Sequence, residues 1–368
     1  MQLAVLMAVG STWSRQIVMR LTELGHSVHI IDFRSAQDIF QTEDISMLYD
    51  SVSEVHILDS RFQSNFKYVS QASKIRKICR DCESDALLTL YGGGYALAAW
   101  LSRVRPYAIF TVGSDVLLIN GIKRWLSRIT LNSAGLVFSN GSYLAEMTRK
   151  LASDANIIPL LLGVDTKKFS PVKKEANPLR IVCTRGFSPV YNNDYLIHAL
   201  AGIPTILDNF NVTFTSTGPL LDSARTIAKE LLPQTMQNKI EFLGGVNDET
   251  LMNNVKRAHI YVSMSRSDGT STALLEALSC GLFPILSDIP QNREWVDPEA
   301  NNGILVPLDQ PEALADALSS AIKDKAWRER VAEYNRNLVL KRASSHRNIE
   351  HLALKLESII QSYKAKRN

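Results

Sequence analysis

Short apolar runs alternate with amphipathic stretches along most of this chain, and that alternation restricts the fold more than any other feature. The run at residues 3–9 is followed by an amphipathic stretch at 14–24, then Gly25-His26 and a second run at 27–33. Runs at 86–90, 107–112 and 135–139 are each followed by a helical pattern. A strand that is apolar on both faces and leads into a helix belongs to a parallel sheet, because each crossover helix covers one face. The pattern stops at 157–162, and a polar stretch with Pro171, Lys173, Lys174, Glu175 and Pro178 reads as a linker. Alternation then restarts at 179–183 and continues at 211–216, 239–243, 259–264 and 283–287.

The expected organisation is therefore a first Rossmann-like domain over 1–165, a linker over 166–178 and a second such domain over 179–344. A C-terminal amphipathic helix over 345–368 ends the chain. Its apolar stripe, Ile349, Leu352, Leu356, Ile359, Ile360 and Tyr363, advances in steps of three and four, and its tail is basic. The 368 residues are 45% hydrophobic and 21% charged, which excludes a collagen, a disordered tail and a disulfide scaffold. A formal charge of +4, from 41 basic against 37 acidic residues, does not announce a nucleic-acid binder. Cys79 and Cys82 form one C-x-x-C with no second pair and no nearby histidine, so no metal is expected there. The apolar N-terminus lacks a basic start and runs straight into Gly10, as a first strand does and a signal peptide does not. No apolar run approaches the ~20 residues that span a bilayer, and a cytoplasmic protein is expected.

Ligands of open parallel sheets bind beyond the carboxyl ends of the strands. After the run at 259–264, the residues Ser265-Arg266-Ser267-Asp268-Gly269-Thr270-Ser271-Thr272 lead into a helix closed by Gly281. Unpaired N–H groups around Gly269, Thr270, Ser271 and Thr272, with hydroxyls alongside, suit a phosphate oxygen. Glu276 is a carboxylate among Ala273, Leu274, Leu275, Ala277 and Leu278, and is costly there without a partner. Two neighbouring sugar hydroxyls would satisfy it; so would a backbone or arginine partner. Gly92-Gly93-Gly94 reads as a tight turn or an exposed backbone, and Glu294 as a ligand contact or a partner of Arg293 or another base. Lys123, Arg124, Trp125 and Arg128 form a basic amphipathic stretch, read either as a solvated face or as a membrane contact.

From Asp268 to Glu276 and on through Ala-Leu-Ser-Cys-Gly, the chain resembles the Glu-x7-Glu signature of the family 4 retaining glycosyltransferases. Gly25-His26-Ser27-Val28, Leu162-Gly163-Val164-Asp165 with Phe169-Ser170-Pro171, Thr217-Gly218-Pro219, Phe242-Leu243-Gly244 and Asn302-Gly303-Ile304-Leu305-Val306 resemble further family segments in order. The resemblance implies the GT-B fold: α/β, two Rossmann-like domains with parallel sheets facing a central cleft, the last helix crossing back to the first domain. It implies transfer of a sugar from a UDP- or GDP-type nucleotide-sugar to a hydroxyl of a carbohydrate or lipid-linked acceptor, with retention. The pathway implied is surface polysaccharide, lipopolysaccharide or glycolipid assembly, at the inner face of a membrane. It places Glu276 on the ribose, Asp268 at the donor sugar, Gly269, Thr270, Ser271 and Thr272 against the diphosphate, and Arg185 on the diphosphate. Gly244, Gly245 and Val246 would border the base, and Gly10, Ser11 and Thr12 would face the acceptor. No D-x-D motif stands in a suitable context, so no metal and no cofactor beyond the nucleotide-sugar co-substrate is expected.

Three departures stand out. Asp268 replaces the commoner Glu, the usual Lys after the arginine is replaced by Tyr191 or Asn192, and no His follows the run at 107–112. Asp115 is the ionisable residue at that strand end, a candidate for the acceptor side or a helix N-cap. Two other readings remain at this point: a nucleotide-sugar epimerase or sugar-phosphate synthase on the same fold, and a non-catalytic nucleotide or sugar binder.

Overall fold

The computed structural model describes residues 1–33, 43–58, 66–203, 207, 209–308 and 310–366. The chain forms two compact units: Met1–Leu162 together with His346–Asn368, and Gly163–Ser345. Arg367 and Asn368 of the basic tail lie outside the described residues.

Among the described residues the first unit holds seven parallel strands: β1 Gln2–Leu6, β2 Ser27–Asp32, β3 Glu54–Ile57, β4 Ala86–Leu90, β5 Tyr107–Thr111, β6 Leu136–Ser139 and β7 Ile157–Pro159. Their spatial order is β3-β2-β1-β4-β5-β6-β7. Every residue of β4 and β5 is buried, as expected of central strands covered on both faces. Two apolar cores flank the sheet. The helix Ser345–Ala365 belongs to the first of them, burying Ile349, Leu352, Leu356 and Ile360 against that face. Asn348 donates to the Leu161 carbonyl, and Lys364 meets Asp85 at 2.7 Å.

Among the described residues the second unit holds six parallel strands: β8 Leu179–Cys183, β9 Phe210–Phe214, β10 Ile240–Phe242, β11 Ile260–Ser263, β12 Phe283–Ser287 and β13 Ile304–Val306. Their order is β10-β9-β8-β11-β12-β13. One apolar core runs through it, from Leu179 and Phe210 to Leu318 and Val331.

Three details differ from the reading of the sequence. Residues 157–162, where the pattern was expected to stop, contain β7, which pairs with β6 from Val137 to Ser139. The strands β3 and β13 were not expected; both are edge strands of three or four residues, too short for a periodic signal. The first unit ends at Leu162, three residues before the expected boundary; its inclusion of the C-terminal helix is as the resemblance implied.

Candidate functional site

In the second unit the chain turns to opposite sides from β8, through β9 in one direction and through β11 in the other. The loops after β8 and β11 therefore border a topological switch point, where parallel sheets open a crevice. Arg185 follows β8, and Asp268 to Ser271 follow β11. The Arg185 guanidinium donates from Nη1 to Ser271 Oγ at 2.7 Å and from Nη2 to Asp268 Oδ2 at 2.6 Å. Its plane stacks on the Tyr191 ring, 4.1 Å from guanidinium carbon to centroid. Asn193 Nδ2 secures the loop, donating to the Arg185 and Gly186 carbonyls. Arg185 Nε and Asn192 Nδ2 are buried and make no hydrogen bond among the described residues. The cluster thus holds polar capacity beyond what its own fold consumes.

Burial opposes the charge on Arg185, but the Asp268 carboxylate beside it holds the guanidinium ionised. Burial also pushes Asp268 above its ordinary value, against the pull of Arg185 and of the Gly269 N–H. Ser271 caps the helix Thr272–Ser279, its Oγ accepting from the Leu274 N–H at 3.3 Å. The Thr272 and Ala273 N–H groups of the first turn make no hydrogen bond among the described residues, at the positive end of the helix dipole. Glu276 projects from the same helix, half-buried, and its carboxylate makes no hydrogen bond or ion pair among the described residues. The backbone or arginine partner that would explain it structurally is absent there. Burial, with the Asp248 carboxylate adding to it, pushes Glu276 up to about 8; Lys168 and Arg185 pull it back.

Gly244, with φ +73°, and Gly245 and Val246 leave the carboxyl end of β10. The neighbouring loops are interlocked: Phe187 N–H donates to the Thr217 carbonyl, and Leu220 N–H to the Phe187 carbonyl. A Cβ on Gly218 would lie 2.3 Å from that Phe187 oxygen, so only glycine fits. A separate cavity of about 450 Å³, lined by Arg180, Asn211, Lys239 and Ile240, opens at the amino ends of β8, β9 and β10, away from these loops.

In the first unit the corresponding switch point lies between β1 and β4. Gly10, Ser11 and Thr12 follow β1; Ser11 stands at the N-cap of the helix Thr12–Glu23 without a side-chain cap bond. Arg15 braces this loop, donating to the Val9 carbonyl at 3.0 Å, and Val9 N–H donates to the buried Asp32 at 2.8 Å. Asp115 is buried and accepts from the N–H groups of Gly92, Val112 and Gly113 at 2.8, 3.1 and 2.8 Å. It is not an N-cap, since Gly113 occupies that position of the helix Ser114–Leu117. Its carboxylate clasps the loops after β4 and β5 together, a positioning task.

Of the residues expected from sequence, Arg185, Asp268, Ser271, Thr272 and Glu276 come together around one strand pair; Asp115, Gly10, Ser11 and Thr12 lie in the other unit. Tyr191 and Asn192 take different parts: Tyr191 stacks on Arg185, while Asn192 Oδ1 accepts from Arg266 Nη2 at 2.9 Å. Arg266 had no assigned role. Its backbone N–H also donates to the Val190 carbonyl, so it ties the β11 loop to the β8 loop. Asp248 and Lys168, 3.5 Å apart, were likewise missed, because they approach Glu276 from distant segments. Arg293 pairs with Asp288, at 2.6 and 3.0 Å, rather than with Glu294.

Residues 164–338 match the model of the glycosyl transferases group 1, and residues 2–140 that of the glycosyl transferase 4-like proteins. The chain is 33% identical over 94 residues to a GDP-mannose:cellobiosyl-diphosphopolyprenol alpha-mannosyltransferase of Xanthomonas oryzae pv. oryzae, covering 26% of this chain and 24% of that protein. It is 30% identical over 174 residues to the phosphatidylinositol N-acetylglucosaminyltransferase gpi3 subunit of Schizosaccharomyces pombe, covering 46% of this chain and 36% of that protein. These matches span about a quarter to a third of the length of those relatives. Among solved structures, a sucrose-phosphate synthase from Thermosynechococcus elongatus superposes with a TM-score of 0.82 at 15% identity, over 98% of this chain and 99% of that one. Anabaena HepE in complex with UDP-glucose does so with a TM-score of 0.79 at 16% identity, over 97% and 100%.

Proposed function

We propose that this GT-B-fold chain, whose two parts match the models of the glycosyl transferases group 1 and of the glycosyl transferase 4-like proteins, moves a sugar from a nucleoside-diphosphate-sugar to an acceptor hydroxyl, with retention and without a metal. The observation that carries the reading is the pairing of Arg185 with Asp268 and Ser271 at the β8/β11 switch point, one helix turn or so from an unpartnered Glu276. In this reading Arg185 and the first-turn N–H groups of the helix Thr272–Ser279 take the diphosphate oxygens. A forked, permanently charged donor suits the negative charge that grows on a departing diphosphate. The Glu276 carboxylate accepts from the two ribose hydroxyls, which satisfies oxygens that the fold leaves open. Gly244, Gly245 and Val246 border the base, of UDP or GDP type. Asp268 stands at the donor sugar, its shorter arm drawn toward Arg185. Arg266, held by Asn192, supplies the second positive group that the missing lysine would otherwise provide. Gly10, Ser11 and Thr12 face the acceptor, with Asp115 positioning the neighbouring loops.

The acceptor is lipid-linked in this proposal. Two of the relatives that the chain resembles are named for lipid-borne acceptors, a diphosphopolyprenol and a phosphatidylinositol. The first unit also exposes Leu118, Ile122 and Trp125 by 59%, 73% and 60%, beside Lys123, Arg124 and Arg128 on the helix Gly121–Asn132. Apolar side chains flanked by cations suit the interface of an anionic membrane, so the protein works as a peripheral enzyme of glycolipid or polysaccharide assembly. No helix of the described residues is long and apolar enough to cross a membrane.

The test is a transfer assay with a panel of nucleotide-sugars and polyprenol- or inositol-lipid acceptors. Release of nucleoside diphosphate only when acceptor is present supports transfer, and NMR of the product shows whether the anomeric configuration is kept. Interconversion of the nucleotide-sugar without acceptor would instead support the epimerase reading, and binding without turnover a non-catalytic role.

A further inference from the structure

Three groups capable of holding a metal converge on one edge of the first unit's sheet. His29 lies on β2, and Glu54 and His56 on the edge strand β3; the two strands pair in parallel with His29 opposite Glu54 and Ile31 opposite His56. Side chains two residues apart on a strand share a face, so Glu54 and His56 stand together, and His29 joins them from the neighbouring strand. One ligand atom from each of the three lies within 4.8 Å of the other two. Glu54 Oε2 is 3.4 Å from His56 Nε2 and 3.9 Å from His29 Nδ1. The rings stack at 5.9 Å with an interplanar angle of 15°.

A second observation points the same way. His29 Nδ1 and His56 Nε2 are buried, and neither makes a hydrogen bond among the described residues. The His29 residue is only 8% exposed. Buried ring nitrogens ordinarily find a partner; here two of them turn toward one carboxylate oxygen without bonding it. Zinc–ligand bonds of roughly 2.0–2.1 Å place the donors of a tetrahedral site about 3.3 Å apart, which the shorter separation matches and the longer one exceeds.

We propose that His29, Glu54 and His56 form a site for a divalent transition-metal ion of the zinc class, with water in the remaining position. Two imidazole nitrogens and one carboxylate oxygen are a donor set for zinc or its neighbours, and a poor one for magnesium or calcium, which take oxygen. Bridging β2 to β3, the ion clips the edge strand to the sheet. The site lies in the first unit and is independent of the nucleotide-sugar reading.

The test is a zinc titration of the full chain, stripped with chelator, in competition with a chromophoric chelator. The expected result is one equivalent bound, with affinity at least tenfold weaker in both Glu54→Gln and His56→Ala. Glu54 is a suitable probe because its side chain is 60% exposed and its replacement leaves the core untouched; circular dichroism checks the fold of both variants. Cobalt loaded into the same site should give the intense visible absorption of a four-coordinate ion, lost in both variants. No equivalent bound by the native chain, or undiminished binding in either folded variant, overturns the proposal.

Discussion

Replacing Glu276 by glutamine tests the candidate site without needing to know the substrate. The carboxyl of Glu276 is raised from 4.5 to about 8, first by burial and then by Asp248. Between these two values the folded chain keeps a proton that the unfolded chain has released, so stability must fall as pH rises through that window. Taken at face value the difference corresponds to roughly 5 kcal/mol, at about 1.36 kcal/mol per tenfold change. The side chain is half-buried and water screens part of its field, so about 2–3 kcal/mol is the magnitude to expect. Glutamine keeps the shape and carries no charge to desolvate. Denaturant unfolding of both proteins from pH 4 to pH 9 should show equal stabilities near pH 4, and a Glu276→Gln variant about 2–3 kcal/mol more stable than the native chain by pH 9. A variant that tracks the native chain across the whole range would refute the claim that this carboxylate is held above its ordinary value. A variant less stable at pH 9 would show that the carboxylate has a stabilising partner.

Other consequences are open to measurement. His259 is lowered to about 4, by burial first and then by Lys174 and Arg328, while its Nδ1 accepts from the Arg180 N–H at 3.1 Å. The folded chain must lose stability as pH falls from about 6.5 to about 4, and His259→Gln should flatten that limb of the unfolding profile. Gly218→Ala drives a methyl group toward the Phe187 carbonyl and should cost about 1–3 kcal/mol of stability, read from the denaturation midpoint. Trp125→Ala should reduce flotation of the chain with anionic vesicles at low salt while leaving the melting temperature unchanged, since the ring is 60% exposed; equal flotation would remove Trp125 from any membrane contact.

The double Rossmann-like architecture was legible because a buried parallel strand must be apolar on both faces, as in β4, β5 and β12. Where that requirement lapses, the signal lapses. β3 reads Glu-Val-His-Ile, with polar side chains on one face of an edge strand, and gave no apolar run. The loop after β11 could be found because small residues leading from a strand into a helix have a direct physical meaning. Its partner Arg185 came only through the family resemblance: it lies 83 residues before Asp268, and the adjacency of β8 and β11 is what brings them together. Asp115 illustrates the opposite case, in which an isolated carboxylate at a strand end suggests chemistry. Its three backbone donors come from two loops, and no pattern in the sequence announces them. The cluster of His29, Glu54 and His56 is hidden for the same reason, since strand pairing brings these groups together across 27 residues rather than at close sequence spacing.

The central claim, that the loops at the β8/β11 switch point hold a nucleoside-diphosphate-sugar, is tested most directly by thermal melting against a panel of UDP- and GDP-sugars. A ligand that binds the folded chain alone, at a hundred times its dissociation constant, adds about 2.7 kcal/mol. At least one nucleotide-sugar should therefore raise the melting temperature by several degrees in the native chain, and by much less in Arg185→Lys, which keeps the charge beside Asp268 but loses the fork. No shift from any nucleotide-sugar at millimolar concentration, or an equal shift in the variant, would contradict it.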